Sequence, residues 1–160
     1  MSTTTTTGSV ESTGHGSWIG GVAAGLAGSL VMGGLIVGMS PPVLEVAMPA
    51  LYTLAPPANP FVGWFVHLSH GAVFGVIFAA ILQAPQLATA ADDYLRSAVV
   101  GAGYGVVVWI VAAALLMPVW LSAVGFPNAP PFPNFAVPSL LWHVVFGVVL
   151  GASYPAVNDL

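Results

Sequence analysis

His67, His70 and His143 are the side chains of this sequence best suited to chemistry, because a neutral imidazole can carry a proton or ligate a metal near physiological pH. His67 opens the stretch HLSHGAVFG, where Gly71 and Gly75 follow it at four-residue spacing. On a helix that spacing stacks the imidazole and both glycines along one face. The same pattern returns in HVVFGVVLG, with His143, Gly147 and Gly151, each 76 residues beyond its counterpart. Three roles compete for these histidines. Each imidazole can bond a backbone carbonyl or hydroxyl across a helix interface and so fix how helices dock. The pair, with His70 and Glu45, can form a proton or ion site of the kind that lines transporter cavities. Or His67 and His143 can ligate haem or another metal, the neighbouring glycines making room for a flat macrocycle. At the offset of 76 the counterpart of His70 is Phe146. Phenylalanine is no ligand, which argues against a symmetric metal cluster.

The rest of the composition decides where these histidines sit. Of 160 residues, 58% are hydrophobic and 4% charged, with a net charge of −4 and no cysteine. A soluble domain of this size carries far more charge, so the chain reads as an integral membrane protein in a lipid bilayer. Arg96 is the only basic side chain. Nucleic acid is excluded as a partner because nothing offsets its phosphates. The absence of cysteine removes disulfides, thiolate nucleophiles and thiolate-ligated clusters. No basic n-region precedes the first apolar stretch, so that stretch is expected to stay as an anchor rather than be cleaved. No G-x-S-x-G, H-E-x-x-H, P-loop or dinucleotide fingerprint is present, and the expectation is a non-enzymatic protein.

Four apolar runs have the length needed to cross about 30 Å of hydrocarbon. Residues 1–17, rich in Thr, Ser and Gly, are expected to form a disordered tail. The first helix is predicted over 18–39 and ends at Pro41-Pro42. Residues 43–60 are too apolar for an ordinary water-facing loop and too broken by proline to cross, which suggests an interfacial or re-entrant segment. Glu45 lies there, either as a carboxylate at the membrane boundary or as a partner for a histidine. The second helix is predicted over 61–82, and 84–96 form a polar connecting loop in which Asp92 or Asp93 caps the next helix. The third helix is predicted over 97–117, closed by Pro118, with Trp109 buried mid-helix against a neighbour or ligand. A second proline-rich connection leads to the fourth helix, predicted over 138–154, and 156–160 form a tail. Even parity puts both termini on one side, and Arg96 marks that side as cytoplasmic.

The offset of 76 extends beyond the histidine helices, pairing Gly25 with Gly101, Pro42 with Pro118 and Pro57 with Pro133. The chain therefore reads as two tandem two-helix repeats, 18–83 and 97–155, related by a pseudo-twofold axis along the membrane normal. That axis would place His67 opposite His143. Small-xxx-small pairs mark the expected helix-packing faces: Gly21/Gly25, Gly34/Gly38, Gly71/Gly75, Gly101/Gly105 and Gly147/Gly151. Glycine faces left free by the bundle would support a homo-oligomer.

The Gly-rich first helix ending in M-S-P-P, the W-x-x-H-x-x-x-G-x-x-x-G helix (Trp64, His67, Gly71, Gly75) and the closing LWHVVFGVVLG (141–151) resemble a family of small, uncharacterised prokaryotic membrane proteins. The lack of lysine and the acidic balance resemble haloarchaeal members. The resemblance spans roughly residues 18–155 and implies an all-α, four-transmembrane-helix fold with no established activity. Some relatives carry a histidine-kinase label, but this chain has no ATP-binding or phosphoacceptor domain to match it.

Overall fold

The computed structural model describes residues 17–160, and the N-terminal tail expected over 1–17 lies, apart from Ser17, outside the described residues. The described chain is all-helical, with four helices long and apolar enough to span a membrane. They are α1 (Trp18–Met39), α2 (Pro60–Leu82), α3 (Tyr94–Ala123) and α4 (Val137–Ser153). In hydrocarbon the backbone must satisfy its own hydrogen bonds, so apolar runs of this length become helices and the polar caps fall at their ends. The Ser17 hydroxyl accepts from the N–H groups of Ile19 and Gly20. Asn59 caps α2 through Val62 N–H, and Asp93 caps α3 through Arg96 N–H.

Glycine decides which helices touch. Gly21 and Gly25 of α1 lie against Gly71 and Gly75 of α2, so closely that a Cβ on Gly21 would sit 2.7 Å from the Gly75 carbonyl oxygen. Gly101 of α3 meets Gly147 and Gly151 of α4, and Gly105 meets the backbones of His143 and Gly147. Backbones this close gain dispersion contacts along their whole shared length, the main attraction available between helices where lipid is as apolar as the side chains. The two hairpins then join through α1 and α4. A Cβ on Gly28 would lie 2.8 Å from the Phe146 carbonyl. The helices thus pack in the order α2, α1, α4, α3, and the two outer members, α2 and α3, do not pack closely on each other.

The helix boundaries differ from the expected ones at one informative place. Pro118 does not close the third helix, which runs 30 residues to Ala123. Over Trp109–Leu116 the helix widens to π geometry, with the Met117 N–H bonded to the Ala112 carbonyl five residues back. Pro118 has no N–H to give the carbonyl of Ala114, four residues before it. That carbonyl instead accepts from the Asn134 N–H at 2.9 Å, supplied by the proline-rich connection folding back. The first connection repeats the device. Val43–Ala47 form a π-helical turn and Pro49 leaves the Glu45 carbonyl free, which accepts from the Asn59 N–H at 2.8 Å. Leu44, Pro49 and Ala50 are buried, and Gly63 of α2 abuts the Leu44 carbonyl.

At the other end, the 84–96 loop contains a short 3₁₀ turn at Ala88–Ala90, with Ala90 and Ala91 buried. Asn158 of the C-terminal tail donates to the Ala91 carbonyl and to Asp92, both at 3.0 Å. This ties the tail to the loop. Arg96 lies 3.6 Å from Asp93 with both side chains largely in solvent, so the pair adds little stability.

Candidate functional site

Because α2 and α3 stand apart, the bundle encloses a cavity of about 380 Å³ in the half that faces the proline-rich connections. All four helices contribute to its wall. The cause of the gap is legible in one pair of positions. Gly28, which lets α1 approach α4, has Tyr104 as its counterpart 76 residues on. Tyr104 fills the space between α3 and α2, its hydroxyl donating to the Phe74 carbonyl at 2.8 Å and its ring lying 5.4 Å from that of Phe78. Phe78 in turn meets Tyr154 edge-on at 5.9 Å. These three rings pack together between α2, α3 and the end of α4.

His67, His70 and His143 all line this one cavity. Their partners differ. His67 is 4% exposed, and its Nε2–H donates across the helix interface to the Ser29 carbonyl of α1 at 2.9 Å. His143 stays within α4, its Nδ1–H donating to the Ser139 carbonyl at 2.7 Å. The difference follows from the residues opposite. Ser29 stands against Gly71 of α2, whereas its counterpart Gly105 brings α3 directly onto the His143 backbone. The closer approach leaves no span for a side chain to cross. The expected histidine pair is therefore one cavity with two unlike hydrogen bonds. His70 pairs through Nε2 with the Tyr52 hydroxyl at 2.8 Å, near the mouth.

Glu45 is not brought to the site. It does not line the cavity, and among the described residues no Asp, Glu, Lys or Arg does. Among the described residues, no three His, Asp or Glu side chains converge as a metal site. The remaining wall holds Ser29, Ser139 and Tyr52 and is otherwise apolar and aromatic, including Met32, Phe74, Trp120, Trp142 and Phe146. Trp120 at the rim donates its Nε1–H to the Leu51 carbonyl at 2.8 Å, binding the first connection to the end of α3. Trp142 donates to the Met39 sulfur at 3.1 Å. The widened stretch of α3 faces the cavity through Ala112 and Ala113, so small residues lie where the helix bulges. Trp109 does not line the cavity and meets the Phe135 ring edge-on at 5.5 Å.

Of the expected packing glycines, Gly21, Gly25, Gly71, Gly75, Gly101, Gly105, Gly147 and Gly151 all meet a neighbouring backbone inside the chain. Gly34 and Gly38 face open space. Sequence reasoning missed Tyr52, Ser29, Trp120 and Trp142 as parts of the site. Comparison with family models, with curated proteins and with solved structures gives no match.

Proposed function

We propose that this chain is a non-enzymatic, multi-pass membrane protein that binds a small, uncharged, lipid-soluble molecule in the cavity between its two hairpins. One observation carries the reading: three histidines from two helices line a single, largely apolar cavity of about 380 Å³. Small-molecule sites have this character, an apolar wall of roughly 300–1,000 Å³ with a few polar groups set into it. A cavity with no charged side chain offers no counter-charge to an ion, whose desolvation would then be uncompensated. This favours a neutral occupant over a transported ion. The four-helix frame supports a cell-membrane setting with both termini cytoplasmic, and the surface left for a second copy of the chain is the Gly34–Gly38 face of α1.

The test is native mass spectrometry of the purified protein in mild detergent with hexylbenzene as an apolar probe. A saturable one-to-one adduct, lost when Ala112→Trp fills the cavity, is the expected result. An adduct count that climbs without saturation in parent and variant alike would overturn the reading. An absorbance spectrum of the protein as isolated supplies a second check, since a Soret band would assign the histidines to haem instead.

A further inference from the structure

The hydrogen bonds that hold the histidines also select the head group of a ligand. This step rests on the reading of the cavity as a small-molecule site. A backbone carbonyl can only accept, so the ring nitrogen facing it must carry the proton. His67 gives its Nε2–H to Ser29, and in the neutral ring its Nδ1 is then a bare acceptor. His143 gives its Nδ1–H to Ser139, and its Nε2 is the bare acceptor. The N–H donors nearby are already spent: Trp120 on Leu51, Trp142 on Met39. The Ser29 hydroxyl is spent too, donating to the Gly25 carbonyl at 2.8 Å. The buried His67 and the half-buried His143 therefore each keep one unmatched ring lone pair in a wall whose indole donors are committed, while the Ser139 hydroxyl and one donor of the Tyr52–His70 pair stay available.

We infer that the cavity takes a lipid-soluble phenol, an aromatic molecule whose hydroxyl donates to His143 Nε2 or His67 Nδ1. The flat ring matches a wall that includes Phe74, Trp142 and Phe146, where offset or edge contacts between rings add to simple burial. The hydroxyl supplies the proton that the histidines lack. A ketone or ether of the same size carries no proton for these two nitrogens and leaves both unmatched. The discrimination is of the kind in which a site built around one hydrogen bond rejects an analogue that cannot make it.

Matched probes test this without altering the protein. The full chain in a non-ionic detergent is titrated with 4-hexylphenol, 4-hexylanisole and hexylbenzene at equal micellar concentrations, and one-to-one adducts are counted by native mass spectrometry. The phenol is expected to bind about tenfold tighter than its methyl ether, the advantage of one buried hydrogen bond. His143→Phe and His67→Phe together are expected to bring the phenol and its methyl ether to parity, with thermal denaturation checking that each variant is folded. Equal binding of phenol and anisole to the parent would overturn the inference and leave the small-molecule site standing. A phenol preference that survives both folded variants would also overturn it, since the acceptors would lie elsewhere. No binding of any of the three probes would remove the site itself.

Discussion

Single atoms decide much in this bundle, because its helices approach to backbone contact. Gly25 and Gly101 each face a glycine carbonyl on the neighbouring helix, and even a methyl group there must push two helices apart. Gly25→Ala and Gly101→Ala are expected to lower stability by about 1–3 kcal/mol, the usual cost of overpacking. Gly34→Ala and Gly38→Ala meet open space and are expected to be neutral or to raise stability by up to about 1 kcal/mol through helix propensity. Thermal denaturation of the four variants in one detergent checks the contrast, and equal losses at all four sites would sink it. Tyr104 is the other decisive residue. Tyr104→Phe keeps the ring between α3 and α2 but removes its bond to the Phe74 carbonyl, for an expected loss of about 1 kcal/mol. The cavity should survive the change, so the variant should still bind hexylbenzene.

At the level of elements, the two proline-rich connections are structural parts rather than linkers. Each folds back to give an asparagine N–H to a carbonyl that proline has orphaned inside a helical turn: Asn59 to Glu45, and Asn134 to Ala114. The donor is backbone, so side-chain identity at 134 matters little, while the presence of an N–H matters a good deal. Asn134→Ala is expected to shift stability by less than about 0.5 kcal/mol. Asn134→Pro is expected to cost about 1–3 kcal/mol, because a carbonyl loses its only replacement donor. Melting curves of the two variants, compared under one condition, check this. Equal melting temperatures would mean that water reaches the Ala114 carbonyl. The same bond explains why α3 runs through Pro118, and why reading that proline as a stop placed the helix end six residues early.

For the whole molecule, four crossings put the two proline-rich connections on one face of the membrane and the 84–96 loop on the other. The chain has no cysteine, so single cysteines report this directly. Ala58→Cys and Asn128→Cys are expected to react with an impermeant maleimide from outside intact cells, and Gln86→Cys only after lysis. Labelling of Gln86→Cys alongside Ala58→Cys in intact cells would refute the four-crossing topology, and the reverse pattern would refute the orientation alone.

The number of crossings, both ends of three of the four helices to within one residue, and the glycine faces inside each hairpin were legible from residues alone. These are local properties: a run of apolar residues long enough to cross can only be helical in lipid, and i, i+4 spacing places glycines on one face whatever else the chain does. That His67 and His143 would share a site was also readable from the offset of 76. Which hairpin faces close and which stay open was not. Gly28 and Tyr104 stand at the same offset position of α1 and α3, and their effect exists only once both helices have a neighbour to meet or to hold away. The same holds for the partners of the histidines, where Ser29 on one side and Gly105 on the other set whether an imidazole can span the interface. Apolar length and glycine spacing determined a four-helix membrane bundle from the sequence alone. The tertiary structure decided that it is hollow, because the width of a helix interface depends on the bulkiest side chain that both helices present to it.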